Sequence, residues 1–362
     1  MSLKLKQIHI MNFLMKNVSI QKILIGVGGL TIILLIDIFL WETGIIREGL
    51  PDLTLSHLLR SMIIGLSVFM IVWGCLRTKH EILLIEPNGK QRQIFSITGF
   101  QFLSIIILCL FFFNSYLFNV VSVEDSLLEW SSFLAWFSGC IVLLITLIKL
   151  NKDYYPKKTT RLFLFGFVVV FFILSMEEIS WFQRILPLKY DESLFRRNLQ
   201  GEINIHNFAT NFSEVIFYFG SFLLLVVLPF ICILFCNQYK SYSWYAFIPR
   251  PFIIIIGAFA CAYNYDMWNI IFMQIAFWGT LIILGIILKL SHKRRDRLLA
   301  LVAAIILVVS QVSFLLNGHN FIFNIYVITE YKEFLIAVSA LLYAIDVSSI
   351  LKNGTVKDRQ ST

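Results

Sequence analysis

Apolar runs parted by short polar stretches make up almost the whole chain. They fall at roughly residues 23–40, 58–76, 97–118, 130–148, 162–180, 215–236, 252–265, 268–288, 298–316 and 334–350. Most approach the ~20 residues that a helix needs to cross a bilayer. The pattern predicts an all-α, polytopic membrane bundle of about ten transmembrane helices. The weakest run, 252–265, is short and follows Pro249 and Pro251. It is expected to be tilted, half-spanning or fused with its neighbour.

Composition supports the same class. Of 362 residues, 58% are hydrophobic and only 14% charged, with 35 Phe and a mean hydropathy of +0.80. A soluble chain of this length would need far more charge on its surface. The net charge of +8 would fit a nucleic-acid partner only if the basic residues clustered for one, and they do not. With the N-terminus in the cytoplasm, all Lys and Arg except Arg47, Arg60, Arg184, Lys189, Arg196, Arg197 and Lys332 fall on the cytoplasmic side, as the positive-inside rule requires. Both termini are then cytoplasmic, and the expected location is a bacterial inner membrane.

Residues 1–362 are expected to form a single transmembrane domain, with a basic cytoplasmic tail over 1–22 and a second cytoplasmic tail over 351–362. The first run is expected to stay as an anchor, because Ile36, Asp37 and Trp41 stand where a signal peptidase would need small residues. Cys75, Cys109, Cys140, Cys232, Cys236 and Cys261 all fall in apolar runs, which indicates buried hydrophobes rather than a disulfide framework. Asp37 and Asp346 are expected to be interfacial or paired.

The acids sort to the opposite side from the bases. Glu124, Asp125, Glu129, Glu177, Glu178, Glu202, Asp266, Glu330 and Glu333 all map to extracytoplasmic span ends or loops. Acids count little in topology, so this grouping suggests one outward-facing site built from several helix ends. Its centre is the extracytoplasmic loop 181–211 with the end of the span before it, which reads EEISWFQR and then QGEINIHN.

If the helix runs on for two more turns, Glu177, Ser180, Trp181 and Arg184 share one face and Glu178 points about 100° away. Glu202 and His206 at i and i+4 would sit together on a helix, placed to share a metal or to let the acid orient the imidazole. Asp125 with Glu129, and Glu330 with Glu333, add acidic helix starts on the same side. For each of those the ordinary reading is a dipole-favoured N-terminus. His319 is expected in a solvated turn. For the central cluster the competing reading is a buried salt-bridge network that only locks helices together.

EDSLLEW before one span, EEISWFQR, NLQGEINIHN and ITEYKEF before the last span together resemble a group of uncharacterised bacterial multi-pass membrane proteins that share EExSWxQR and QGExNxHN. The resemblance covers about residues 124–334. It implies that these patches belong together, and it brings no activity.

Two classes of function follow. In the first, the chain is a membrane-embedded hydrolase or transferase acting on a lipid or lipid-linked substrate. Glu178, Glu202 and His206 would be catalytic or hold a divalent metal, and Arg184, Arg196 and Arg197 would take an anionic head group. Glu177, Gln183, Gln200, Asn204, Asn207, Asp125, Glu129, Glu330 and Glu333 would complete the substrate pocket. In the second, Glu177, Glu178 and Glu202 bind the cation of an ion-coupled carrier, against which stands their place at span ends rather than at the midplane. An O-antigen-polymerase-like glycan-assembly protein and a non-catalytic membrane sensor or effector are further alternatives. The chain holds no Walker loop, dinucleotide fingerprint, HExxH or GxSxG.

Overall fold

The computed structural model describes residues 2–39, 46, 48–76, 82–87, 89–123, 126–150, 158–182, 210–235 and 243–360. Among them there is no strand, and ten helical segments are long and apolar enough to cross a membrane. The protein is a multi-pass integral membrane protein, since a helix satisfies its own backbone hydrogen bonds in lipid. In chain order the elements are α1 (Ser2–Phe39), α2 (Leu55–Cys75), α3 (Lys90–Phe113), the short α4 (Ser115–Val120), α5 (Leu127–Lys149) and α6 (Lys158–Glu178). They continue with α7 (Thr210–Phe235), α8 (Phe252–Phe259, within the span Tyr245–Ala262), α9 (Ile271–Leu290), α10 (Arg294–Phe321) and α11 (Val327–Gln360).

Short α8 occupies the middle of the bundle. It packs against α3, α10, α11 and a widened turn of α7, and every one of its residues is buried. Its span is 78% buried in the protein, whereas that of α1 is 17% buried. The peripheral helices turn Leu24, Phe95, Phe113, Ile148 and Leu162 outward, forming an apolar surface suited to lipid. Pro229 accounts for the widened turn, because it has no N–H to give the carbonyl four residues back. The chain forms a π-turn over Leu223–Val227, where the Leu228 N–H reaches the Leu223 carbonyl. Gly257 of α8 lies against it, and a Cβ there would come within 2.6 Å of Leu225 Cβ.

Buried charges are paired as they must be in a low-dielectric interior. Arg60 on α2 donates from Nε to Asp37 Oδ1 of α1 at 2.7 Å and from Nη2 to the Asn269 carbonyl at 3.0 Å. At the opposite end Asp346 of α11 accepts from Arg92 at 2.9 Å and from Arg250 Nε at 2.6 Å. There too Asp296 of α10 accepts from the backbone of Leu84 and Ile85 at 3.1 and 3.3 Å. Among the described residues, Cys75, Cys109, Cys140, Cys232 and Cys261 form no disulfide.

Several boundaries differ from the hydropathy reading. Helix α11 begins at Val327, seven residues before the apolar run, so Glu330 and Glu333 lie at a helix start as expected; Glu214 and Lys332 are helical too. The weak seventh run is a span from Tyr245 to Ala262, followed by non-helical residues 263–270. Helix α6 stops at Glu178 instead of running two turns further. Ser180 and Trp181 then adopt left-handed φ of 47° and 53°, so Glu177, Ser180 and Trp181 do not line one helical face. His319 sits in the last turn of α10, exposed, and not in a loop.

Candidate functional site

The site forms where the helices break. Residues 263–270, between α8 and α9, follow no helix, yet all but the half-buried Asn269 are buried. Irregular backbone at membrane depth survives only when protein groups satisfy it, and here they do. The Gly49 N–H donates to the Asp266 carbonyl at 2.9 Å, and the Asp52 N–H to Asn269 Oδ1 at 3.0 Å. Asn269 Nδ2 donates to the Leu50 carbonyl at 2.8 Å, and Gln274 Nε2 to the Trp268 carbonyl at 2.8 Å. Gln311 of α10 donates to the Asn264 carbonyl at 2.8 Å and accepts from Asn264 Nδ2 at 3.1 Å.

This scaffold presents Asp266 to acids from other elements. Its side chain is fully buried; Oδ1 accepts from the Thr329 hydroxyl of α11 at 2.6 Å, while Oδ2 is buried and unpartnered. Burial pushes the Asp266 carboxyl up to about 7; the Glu48 charge adds to this, and the Thr329 hydrogen bond and the Lys332 charge oppose it. Glu48, in the loop before α2, and Glu214, in the second turn of α7, approach closely enough to share a hydrogen bond. Each keeps one further carboxyl oxygen buried without a partner. Burial raises the Glu48 carboxyl, the neighbouring Glu333 charge adds to the rise, and the hydrogen bond with Glu214 offsets part of it.

Glu333 of α11 accepts a short hydrogen bond from the Tyr218 hydroxyl of α7. Lys332, the adjacent residue, is fully buried and is engaged by neutral groups. Its Nζ donates to Asn264 Oδ1 at 2.5 Å and to Met273 Sδ at 3.2 Å, and lies 4.4 Å from the Tyr218 ring centre. Its charge is therefore held beside the carboxyls and not bonded to them. Tyr326, 46% exposed, stands at the rim within the field of Glu48, Asp266 and Glu214. Next in sequence to Lys332 and Asn264, Tyr331 and Tyr263 belong to a buried aromatic cluster in which Phe118 stacks on Tyr331 at 4.4 Å and Phe314 meets Phe111 and Tyr263.

A second group of acids adjoins the first. Glu178, the last residue of α6, lies in the field of Glu333, Glu330 and Glu129, so the ends of α5, α6 and α11 are brought together. Glu177 points elsewhere and accepts from the Trp181 indole at 2.7 Å. The remaining residues singled out by sequence, Asp125, Gln183, Arg184, Arg196, Arg197, Gln200, Glu202, Asn204, His206 and Asn207, lie outside the described residues. Among the described residues no three His, Cys, Asp or Glu side chains gather closely enough to hold a metal ion.

Motif reasoning passed over Glu48, Glu214 and Tyr218, and took Lys332 only as a topology charge. The signal for them was faint: Glu48 sits in the polar stretch REGLPD and Glu214 follows Asn211 and Ser213, with no motif spacing to the other acids on that side. Comparison with protein-family models, with curated proteins and with solved structures gave no match, so the resemblance of EEISWFQR and QGEINIHN rests on those residues alone.

Proposed function

We propose that the acid-lined end is the reaction site of a membrane-embedded hydrolase or transferase that takes a lipid or lipid-linked substrate from the extracytoplasmic face of a bacterial inner membrane. One observation carries this reading: carboxyl groups from six parts of the chain meet at one end of the bundle. Glu214 is the fifth residue of α7 and Glu333 the seventh of α11. At 1.5 Å per residue these lie within about 10 Å of the helix starts, which is head-group rather than midplane depth.

Neighbouring carboxyls with different environments suit acid and base roles in one site. Asp266, held at about 7, is partly ionised at neutral pH and serves as the base. Glu178, at the end of α6 beside Glu129, Glu330 and Glu333, supplies the proton to the leaving group. The spacing of Glu202 and His206 adds a possible divalent metal shared with Glu178, and Arg184, Arg196 and Arg197 add an anion-binding edge. The unwound stretch 263–270 favours the carrier as the second reading, because transporters bind their ions at interrupted helices; the place of the acids near helix starts rather than at the midplane argues against it.

The test is turnover of extracted bacterial inner-membrane lipid in proteoliposomes, read by mass spectrometry, with wild type beside Asp266→Asn and Glu178→Gln. Wild type is expected to convert one lipid class, and each variant to do so ~10²- to 10⁴-fold more slowly, the usual contribution of a general acid or base. Wild-type vesicles indistinguishable from protein-free ones overturn the enzyme reading. Metal content of the same preparations, and of His206→Ala, decides whether the chemistry includes a metal.

A further inference from the structure

We infer that the carboxyls of Glu48, Glu214 and Asp266 form a recognition site for a primary ammonium group carried by the substrate. The inference deepens the proposed reaction by naming the chemical class of what enters the site, and it rests on the reading of this end as a substrate site. The acids alone would not establish it. The independent observation is Asp266, a side chain with no exposed surface whose Oδ2 is buried and makes no hydrogen bond. Glu48 Oε1 and Glu214 Oε2 are likewise buried and unpartnered, and both side chains lie within the electrostatic field of Asp266. Buried acceptors left without donors are costly, at about 1–3 kcal/mol each and more when charged, so three in one place point to a donor-rich ligand.

The chemistry of the acceptors narrows that ligand. Anything that fills this place must carry positive charge and offer several N–H or O–H donors at once. A primary ammonium has three donors on one centre and takes carboxylate oxygens at about 2.7–2.9 Å. A quaternary ammonium has the charge and no donors. A metal ion needs oxygens converging to about 2.0–2.6 Å from one point, and the described acids are not gathered so tightly.

Lys332 completes the argument from inside the protein. Its ammonium is taken up by Asn264, Met273 and the Tyr218 face, so it moderates the charge of the basin without occupying the three free oxygens. Tyr326 at the rim offers an aromatic face on the way in. A head group with an ethanolamine-type or amino-sugar amine fits this description, whether it belongs to a lipid or is free in solution.

The experiment measures binding without turnover. Thermal unfolding of purified protein in detergent is followed while ethanolamine, its mono-, di- and trimethylated forms, Mg²⁺ or Ca²⁺ is titrated. The protein is then placed in nanodiscs of phosphatidylethanolamine or of phosphatidylcholine. A saturable rise in melting temperature with ethanolamine that weakens with each methyl and vanishes for the trimethylated form is expected. So is a loss of affinity of at least about tenfold in Asp266→Asn, the cost of one charge-assisted hydrogen bond. Stabilisation by phosphatidylethanolamine nanodiscs alone supports the same chemistry and assigns the amine to a lipid. Equal responses to ethanolamine and its trimethylated form, a saturable response to Mg²⁺ or Ca²⁺ alone, or no response in either format overturns it. Because the wild-type ligand series needs no variant, a misfolded mutant leaves the test intact. Amine binding without lipid conversion would defeat the reaction and leave this site standing, and lipid conversion without amine preference would do the reverse.

Discussion

Removing Asp37 alone should damage the protein more than removing Asp37 and Arg60 together. The two side chains are 4% and 3% exposed and meet through two hydrogen bonds. In Asp37→Ala the guanidinium stays buried, with the Asn269 carbonyl at 3.0 Å and with an Nη1 that has no partner even in the wild type. An uncompensated buried charge of this kind costs about 3–5 kcal/mol, a shift of roughly 10²- to 10³-fold in the unfolding equilibrium. In Asp37→Leu/Arg60→Met both charges are gone, and the remaining loss is the contact to Asn269, about 1 kcal/mol. The double variant should therefore lie within about 2 kcal/mol of wild type, while the singles Asp37→Leu and Arg60→Met each strand a buried charge at about 3–5 kcal/mol, a coupling energy of at least about 4 kcal/mol. Unfolding by sodium dodecyl sulfate in mixed micelles, followed by tryptophan fluorescence over the four members of the cycle, measures these values. Additive single costs would refute the reasoning and show that α1 and α2 are held by packing instead. The pair also positions Asn269, three residues from Asp266, so Asp37→Ala should weaken ethanolamine binding while the double variant changes it less.

Gly318→Ala should lower stability by about 1–3 kcal/mol, because a Cβ there would stand 2.3 Å from Tyr265 Cε2; Gly220→Ala, with nothing within 4 Å, should be neutral or stabilising by up to about 1 kcal/mol. The same micelle titration compares them. Asp266 has its folded carboxyl raised from 3.8 to about 7, so the folded state binds the proton more tightly. Its contribution to stability is full in acid and is lost as pH climbs from about 4 through 7. Melting temperature should fall between pH 5 and 8.5, and Asp266→Asn should flatten that part of the curve; a wild-type profile that rises with pH contradicts it. Tyr218→Phe deletes the donor to Glu333 and should cost about 1.5–3 kcal/mol, as hydrogen bonds to charged groups do. A melting temperature unchanged from wild type would show that this bond adds nothing.

Hydropathy alone located ten long apolar segments, and the described residues hold ten such helices. It drew their polar ends short, because Glu214, Glu330 and Lys332 depress local hydropathy while lying on helices. The break after Glu178 was illegible, since EEISWFQR has neither Gly nor Pro. What accompanies the left-handed turn there is tertiary: the Trp181 indole reaches back to Glu177 and the ring meets Phe172 edge-on. Sorting acids by side of the membrane brought Glu129, Glu178, Asp266, Glu330 and Glu333 to one end. It could not single out Glu48 and Glu214, whose proximity depends on how α2, α7 and the 263–270 stretch pack, and no spacing along the chain encodes that.

The unwound stretch also bears on how the protein is made. A nascent chain that has emerged only as far as α9 carries Asn264 and Asp266 in the middle of an otherwise greasy hairpin, while Gln311, Thr329 and Lys332 have yet to be translated. At the head-group end these amides and this carboxyl keep water until protein groups replace it, and their burial is complete only when every partner is present. The hairpin must wait beside the insertion machinery, or against the earlier helices, until α10 and α11 arrive and close over it. The centre of the bundle is thus finished last, from the C-terminal side. A product cut short before α11 would lack the Thr329 and Lys332 partners of Asp266 and Asn264 and leave the centre of the bundle open, a substrate for membrane proteolysis rather than a smaller folded bundle.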